Sequence, residues 1–530
     1  MTKRDLPNGN AEILLQYFES GEQIGRYDEG NPLLILWRPK SKMMSFVNDN
    51  KGDHKFQLTF WTPRDSKIAV PNVPIMSQGY KTMRWSPDGR YLGFRIPTTD
   101  LTKEQLCLFD MEKPSEAPKT IFEAESILDF AWSPDAKTIC LSLEGTDGAL
   151  ILLDPQGKNL KTLRVSRGQR INHVTWSLDG KNVITACRTA GRGDFTVRSV
   201  DLDGRSSIVA SPPSGRVIGT ENPLPDGRFL FDLFGEGMAI QMIAGLDTEP
   251  HPFVFPNGTN WYGCLEKTRN SLIISHTSST EPRQLYRVNL TDETDYKVVY
   301  KTPGTENIKG VEPQRLSIPL REGNLLNALI WRADRGKNRG LIIRFPTNRT
   351  DNPSSEFNGA VQYLVSKGFD YISFGFRPQK LEDPTIFNTA LNDDIKDAME
   401  LIEYAKSVIG VRADKILLFG ESVGTSFVIR TAGNLSDKQG ILVLRGLVDI
   451  VKDFRPIPDN QYKVTLLQGE NDPLKPIEAV NYIKTIFGPE SLEGKRGFWM
   501  TLYGEGHSPR LLRSHASVAA SIYTMLISQD

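Results

Sequence analysis

The sequence predicts two domains in series: a β-propeller of six or seven blades, then a doubly wound α/β domain with a mostly parallel sheet. Three observations predict it. A Trp-Ser-Pro-Asp-Gly string returns at intervals of forty-odd residues through the first half of the chain, and beyond Pro313 short apolar runs alternate with helical patterns. One of those runs ends in Gly420, Glu421, Ser422, Val423, Gly424. At 530 residues the chain is long enough to bury two cores.

The repeat comes first. Trp85, Ser86, Pro87, Asp88, Gly89 recurs as Trp132, Ser133, Pro134, Asp135, Ala136 and as Trp176, Ser177, Leu178, Asp179, Gly180. A degenerate earlier copy stands at Trp37, Arg38, Pro39, a later one at Pro223 to Gly227, and a faint sixth begins near Glu266, before Leu272 to Ile274. Each unit reads as a strand, a turn centred on Asp-Gly, and a second strand such as Tyr91 to Phe94, followed by further short strands. A period in the forties with this pattern is that of four-stranded propeller blades. Recurrence once per blade assigns these residues to architecture: each Trp packs between neighbouring blades and each Asp fixes its turn. A seventh blade would need the weak strands around Leu285 to Val299 together with the amino-terminal segment. Asn10 to Ser20 reads as helical. The expected division is an amino-terminal helical segment (1–22) able to pack on the second domain, the propeller (23–312) and the α/β domain (313–530).

In the second part, Gly340 to Phe345, Tyr371 to Phe374, Ile416 to Phe419, Ile441 to Leu444, Val464 to Leu467 and Phe498 to Leu502 are short apolar runs of the kind buried in a parallel sheet. Between them, Asn392 to Ser407 carries Ile395, Ala398, Met399, Ile402 and Ala405 at helical spacing. Alternating strands and helices make a doubly wound domain.

Gly420 to Gly424 stands where the strand Ile416 to Phe419 gives way to a helix-compatible stretch. GxSxG on a strand-to-helix turn is the nucleophile elbow of an α/β-hydrolase, in which glycines make room for a strained turn that lifts the serine hydroxyl clear of the sheet. Ser422 is the expected nucleophile. Such a serine needs a base to take its proton and an acid to orient the base, in this fold in the order Ser, Asp, His. Only His507 and His515 follow Ser422. His507 lies in a loop just beyond the strand Phe498 to Leu502. His515 falls on the apolar stripe of a C-terminal helix with Leu511, Val518, Ile522 and Leu526, and reads as a packed helix residue. For the acid, Asp472 follows the strand Val464 to Leu467 directly, with Glu470 as the closest substitute. Asp449, Asp453 and Asp459 compete in sequence order but lie in or beside a polar, proline-containing connection.

Composition narrows the partners. Lys plus Arg and Asp plus Glu are 64 each, so charge offers no argument for nucleic acid or an anionic membrane. No run approaches the roughly 18 apolar residues of a membrane span, and Met1 to Ala11 is polar, which makes a soluble, cytoplasmic protein the expectation. Cys107, Cys140, Cys187 and Cys264 lack metal-binding spacing and read as reduced thiols. No metal or cofactor motif is present, so neither is expected, and nothing fixes an oligomeric state.

The whole arrangement resembles the prolyl oligopeptidase family of serine peptidases, particularly its acylaminoacyl-peptidase and dipeptidyl-peptidase-like branches. The resemblance rests on the Trp-Ser-Pro-Asp-Gly blades, Phe357 to Tyr363 with Ser366 to Gly368, Phe376 and Arg377, Asp393 and Asp394, Gly420 to Gly424, Gly469 to Asp472 and Gly504 to His507. It implies Ser422, Asp472 and His507 as the triad, and a propeller that restricts entry to short or flexible peptides. The family's HGGP-type oxyanion segment is replaced by Phe345, Pro346, Thr347, Asn348. Pro346 has no amide hydrogen to donate. The expected oxyanion donors are therefore the Val423 N–H and Thr347. Val423 also replaces the usual aromatic residue, Arg377 continues as Pro378 and Gln379, and the Ser422-to-Asp472 stretch is short for the family.

The expected activity is hydrolysis of short peptides, of the oligopeptidase or acylaminoacyl/aminopeptidase type, through an acyl-enzyme on Ser422. An esterase or acyltransferase would use the same triad on an acyl-peptide or ester. A catalytically impaired, propeller-based interaction protein is the third reading, motivated by the altered oxyanion segment.

Overall fold

In the computed structural model the described residues are 2–5, 11–16, 22–28, 32–49, 56–63, 67–69, 82–145, 147–165, 167–189, 195–211, 216–235, 238–245, 248–253, 258–266, 270–302, 305, 310–321, 323–334, 339–347, 353–376, 386–447, 454–470, 472, 474–493, 496–502, 520 and 522–523. The chain divides into two compact units. Met1–Arg4, Asn10–His276 and Gln284–Lys301 form the first; Asp5–Gly9, Thr277–Arg283 and Thr302–Asp530 form the second.

The first unit is a six-bladed β-propeller. Its blades are four-stranded sheets whose strands run in sequence order over 32–69, 82–124, 127–164, 169–210, 216–252 and 259–301. Each pair of consecutive blades buries its own core. Val47, Leu58 and Phe60 pack on Trp85, Leu92 and Phe94; Leu106 and Leu108 on Phe130 and Ile139; Cys140 and Leu152 on Val174 and Trp176. Ile184 and Val197 then meet Phe229 and Phe231, and Leu230 and Ile243 meet Leu272 and Ile274.

The repeated turn explains the repeated string. Ser86 Oγ donates to Asp88 Oδ1 at 2.5 Å, and Asp88 Oδ1 accepts from Arg90 N–H at 3.0 Å. Tyr91 N–H donates back to Ser86 Oγ at 2.9 Å. The same bonds join Ser133, Asp135, Lys137 and Thr138, and again Ser177, Asp179, Lys181 and Asn182. The residue after Asp turns left-handed, with φ of 76° at Gly89, 71° at Gly180 and 60° at Ala136. Trp85 and Trp176 look sideways, as expected of architecture: Trp85 Nε1 donates to Ser45 Oγ and Trp176 Nε1 to the Ala131 carbonyl, each on the preceding blade, whereas Trp37 of the degenerate first copy departs from the expectation, being exposed and donating to the Ser41 carbonyl of its own turn.

One expectation is corrected, and the choice between six and seven blades is resolved. The segment expected to be helical at 10–20 contains the strand Ala11–Gln16, which joins Thr2–Asp5 and Gln23–Tyr27 in a three-stranded sheet. Ile13 and Leu15, two apart, are buried against Met44, Phe46 and Trp61 of the first blade. A short apolar run fits either period, and here packing selected the period of two. The weak strands around Leu285 to Val299 are the outer strands Gln284–Asn289 and Tyr296–Lys301 of the sixth blade, not part of a seventh.

The second unit is built on one eight-stranded sheet: β1 (Gln314–Pro319), β2 (Leu325–Trp331), β3 (Gly340–Arg344), β4 (Phe369–Phe374), β5 (Ile416–Glu421), β6 (Gln439–Arg445), β7 (Gln461–Gly469) and β8 (Gly497–Leu502). Their order in space is β1-β2-β4-β3-β5-β6-β7-β8. β2 is antiparallel to β1 and β4; all pairs from β4 through β8 are parallel. Among the described residues four α-helices accompany it, α1 (Gly359–Ser366), α2 (Ile386–Tyr404), α3 (Val423–Asn434) and α4 (Pro476–Phe487). Both sheet faces are covered. Leu418, Leu442 and Leu466 point to the side of α2, α3 and α4, while Leu417, Val443 and Leu467 point to the side of α1 and Ile522. Burial on both faces is why these strands are nearly continuous apolar runs.

Candidate active site

The register places the ends of the parallel strands level. Arg344 pairs with Phe419, Glu421 with Arg445, Arg445 with Leu467, and Gly469 with Leu502. Chain segments leaving β3, β5, β7 and β8 therefore emerge along one edge of the sheet, where open α/β sheets carry their ligands.

Ser422 leaves β5 at that edge and caps α3. Its backbone has φ 53° and ψ −127°, a conformation that L residues rarely adopt. Ser422 N–H donates to the Arg445 carbonyl at 3.0 Å, and the Ser422 carbonyl accepts from Thr425 N–H at 3.0 Å and Thr425 Oγ1 at 2.6 Å. The flanking glycines are required by contact. A Cβ on Gly420 would stand 2.6 Å from the Gly424 carbonyl oxygen, and one on Gly424 would stand 2.9 Å from that of Pro346. Strain of this kind costs about 1–3 kcal/mol and persists only where the surroundings enforce it.

The Gly424 contact also locates the segment after β3. Phe345 N–H donates to the Phe419 carbonyl at 2.8 Å, and Pro346 lies against the start of α3. Thr347 follows at once and is half-buried, while Val423, the first residue of α3, is 40% exposed. The early N–H groups of a helix have no partner within it, so this corner presents backbone donors.

Asp472 lies just past β7 and is 1% exposed. Its Oδ1 accepts from Leu474 N–H at 3.3 Å, and its own N–H donates to the Gly469 carbonyl at 3.2 Å. The rivals fare differently. Glu470 is exposed, and Asp459 is exposed and precedes the start of β7, at the opposite edge of the sheet. Asp449, Asp453, His507, His515, Asn348 and Arg377 lie outside the described residues. β8, which leads to His507, is in place beside β7.

Sequence reasoning missed Gln468. It is fully buried in β7, accepts from Leu447 N–H at 2.7 Å through Oε1, and donates from Nε2 to the Leu474 carbonyl at 2.9 Å. One amide thus ties the loop after β6 to the loop carrying Asp472. A polar residue inside the apolar run of β7 was the available signal. A cavity of about 280 Å³ opens on the α1 side, lined by Trp331, Arg344, Glu356, Tyr371, Ser373 and Glu421 among others. Among the described residues no cluster of His, Cys, Asp or Glu could hold a metal, and no helix is long and apolar enough to cross a membrane.

No family model matches the chain, and no curated protein sequence matches it. Solved structures do. A puromycin-hydrolyzing peptidase of Mycobacterium tuberculosis is similar over 99% of this chain and 92% of its own, with TM-score 0.75 and 14% identity. The acylaminoacyl peptidase of Pyrococcus horikoshii covers the same shares with TM-score 0.66 and 12% identity. Oligopeptidase B of Leishmania major has TM-score 0.74 and 12% identity over 99% of this chain and 84% of that one. Sequence likeness this low speaks to the fold, and it does so along nearly the full length of each chain. The chain has the fold of the prolyl oligopeptidase family of peptidases, the family its sequence motifs resemble.

Proposed function

We propose that the second unit is an α/β-hydrolase domain and that the protein is a serine peptidase acting on short peptides through an acyl-enzyme on Ser422. The observation that carries this reading is the strained Ser422 backbone at the junction of β5 and α3, in a turn whose close contacts admit only glycine at 420 and 424. In the reaction, Ser422 Oγ attacks the carbonyl carbon, and His507 takes the hydroxyl proton and delivers it to the leaving amine. Asp472 holds the imidazole in its working tautomer. The Val423 N–H, with Thr347 as the second donor, stabilises the oxyanion. Water activated by His507 then releases the acyl group. The fold shared with peptidases named for puromycin, acylaminoacyl peptides and oligopeptides supports short peptides and aminoacyl amides as the substrate class.

Digestion of a peptide library, read by mass spectrometry, tests this. Wild-type protein should cleave members that Ser422→Ala and His507→Ala leave intact. Equal cleavage by wild type and Ser422→Ala would refute the assignment.

A further inference from the structure

Resting on the reading of Ser422 as nucleophile, we propose that Glu421 and Arg445 form a positioning pair that holds the nucleophile turn in its reactive conformation. Arg445 grips the turn twice. Its carbonyl accepts the Ser422 N–H at 3.0 Å, and its guanidinium Nε donates to Glu421 Oε1 at 2.6 Å, a short charge-assisted bond. The two residues face each other in register across β5 and β6, so side chain and main chain act at adjacent positions of the same turn. The side chains are only 9% and 22% exposed, which shields the pair from solvent screening. Arg344, at the end of β3, adds a second cation 3.8 Å from Glu421 Oε2. Three neighbouring strand ends are thereby joined by charge beneath the serine.

The pair is placed to do something the other restraints do not. Gly420 and Gly424 permit the strained conformation by leaving space, and Thr425 secures the residue from the helix side. Permission is not enforcement: at φ 53° the serine backbone gains by relaxing, and relaxation would carry Oγ and the Val423 N–H away together. Fixing Glu421 to Arg445 restrains the strand side of the turn. Loss of the pair should lower the reactivity of Ser422 while leaving affinity for a ligand unchanged, because neither residue needs to touch the reacting atoms.

Glu421 also lines the 280 Å³ cavity, so a direct contact with substrate is the rival role. The two roles separate kinetically. A fluorophosphonate probe is reacted with wild-type protein, Ser422→Ala, Glu421→Gln, Glu421→Asp, Arg445→Lys and the Glu421→Gln/Arg445→Lys double variant, measuring maximal labelling rate and half-saturating probe concentration. Thermal denaturation identifies the variants that remain folded. The expected result is a maximal rate lowered by about tenfold to a hundredfold in each single variant, with half-saturation unchanged. The double variant should be no slower than the slower single one, because both changes remove one interaction. Glu421→Asp, which keeps the charge but shortens the reach, should fall with the rest. Folded variants that label at the wild-type rate, or that shift half-saturation alone, would overturn the pair's role. Wild-type protein that fails to label where Ser422→Ala also fails would instead refute the nucleophile, and the positioning pair with it.

Discussion

The two units use sequence in opposite ways. In the propeller the same few residues recur, and the three full copies share one structural role, with Ser and Asp closing a turn and Trp packed against the preceding blade. In the second unit the informative residues occur once, and they hold unfavourable states. Ser422 is strained, Asp472 is a buried carboxylate, and Gln468 is a buried amide in an apolar strand. Repetition points to residues selected for stability. A single costly residue at the end of a strand points to chemistry.

The sharpest way to break this contrast is to exchange the phenotypes. Ser422→Ala should cost activity by roughly four or more orders of magnitude, while denaturation midpoints stay near the wild-type value. Ser422→Gly, equally inactive, should be more stable by about 1 kcal/mol, since glycine accepts positive φ without strain. The opposite pattern is expected of Asp129 in the propeller. It is buried between blades, 3.1 Å from Arg84 of the preceding blade and 3.1 Å from the Val174 N–H of the following one, with His173 at 3.7 Å. Burial opposes its charge, but Arg84, His173 and the Val174 N–H outweigh burial and hold its carboxyl below the usual range. Asp129→Asn should destabilise the protein by about 3 kcal/mol in urea unfolding, yet leave labelling of the folded fraction unchanged. A large loss of reactivity in folded Asp129→Asn would erase the distinction between the units.

A pH measurement sharpens the propeller side. Burial of His276, whose Nδ1 donates to Asn260 Oδ1 at 2.7 Å, pushes its pKa down to about 4. In the unfolded chain an imidazole titrates near about 6.5. The unfolded state therefore binds the proton first as pH falls, so the stability this residue contributes is complete above about pH 6.5 and is lost toward about pH 4. His276→Gln should flatten the midpoint-versus-pH curve across that window. An unchanged slope would show that His276 is not the group responsible.

The smallest effects test the turn itself. Ala136 occupies the left-handed position that Gly89 and Gly180 fill in other blades. Ala136→Gly should raise stability by about 1 kcal/mol. Gly89→Ala should lower it by more, because its Cβ would also lie 2.6 Å from the Pro39 carbonyl oxygen.

These particulars explain what the sequence could convey. The propeller was legible because Trp, Ser, Asp and Gly recur at one spacing, and the tight strand-to-helix turn at Ser422 because the glycines around it are dictated by contact. The six-residue strand Ala11–Gln16 was misread because a short apolar run carries no decisive period. The partners of Gln468 and of the Glu421–Arg445 pair were hidden for a different reason: they are set by strand order and register, which no local pattern encodes. Of the rival carboxylates, Asp459 was set apart from Asp472 once the sheet placed the two at opposite ends of β7.

The central claim is that Ser422 is a nucleophile activated by His507. Peptide mapping of protein treated with a fluorophosphonate tests it most directly. An adduct on Ser422 is predicted in wild-type protein, with its near-complete loss in His507→Ala. An adduct formed equally well without the imidazole, or no adduct on Ser422 in folded wild-type protein, would contradict it.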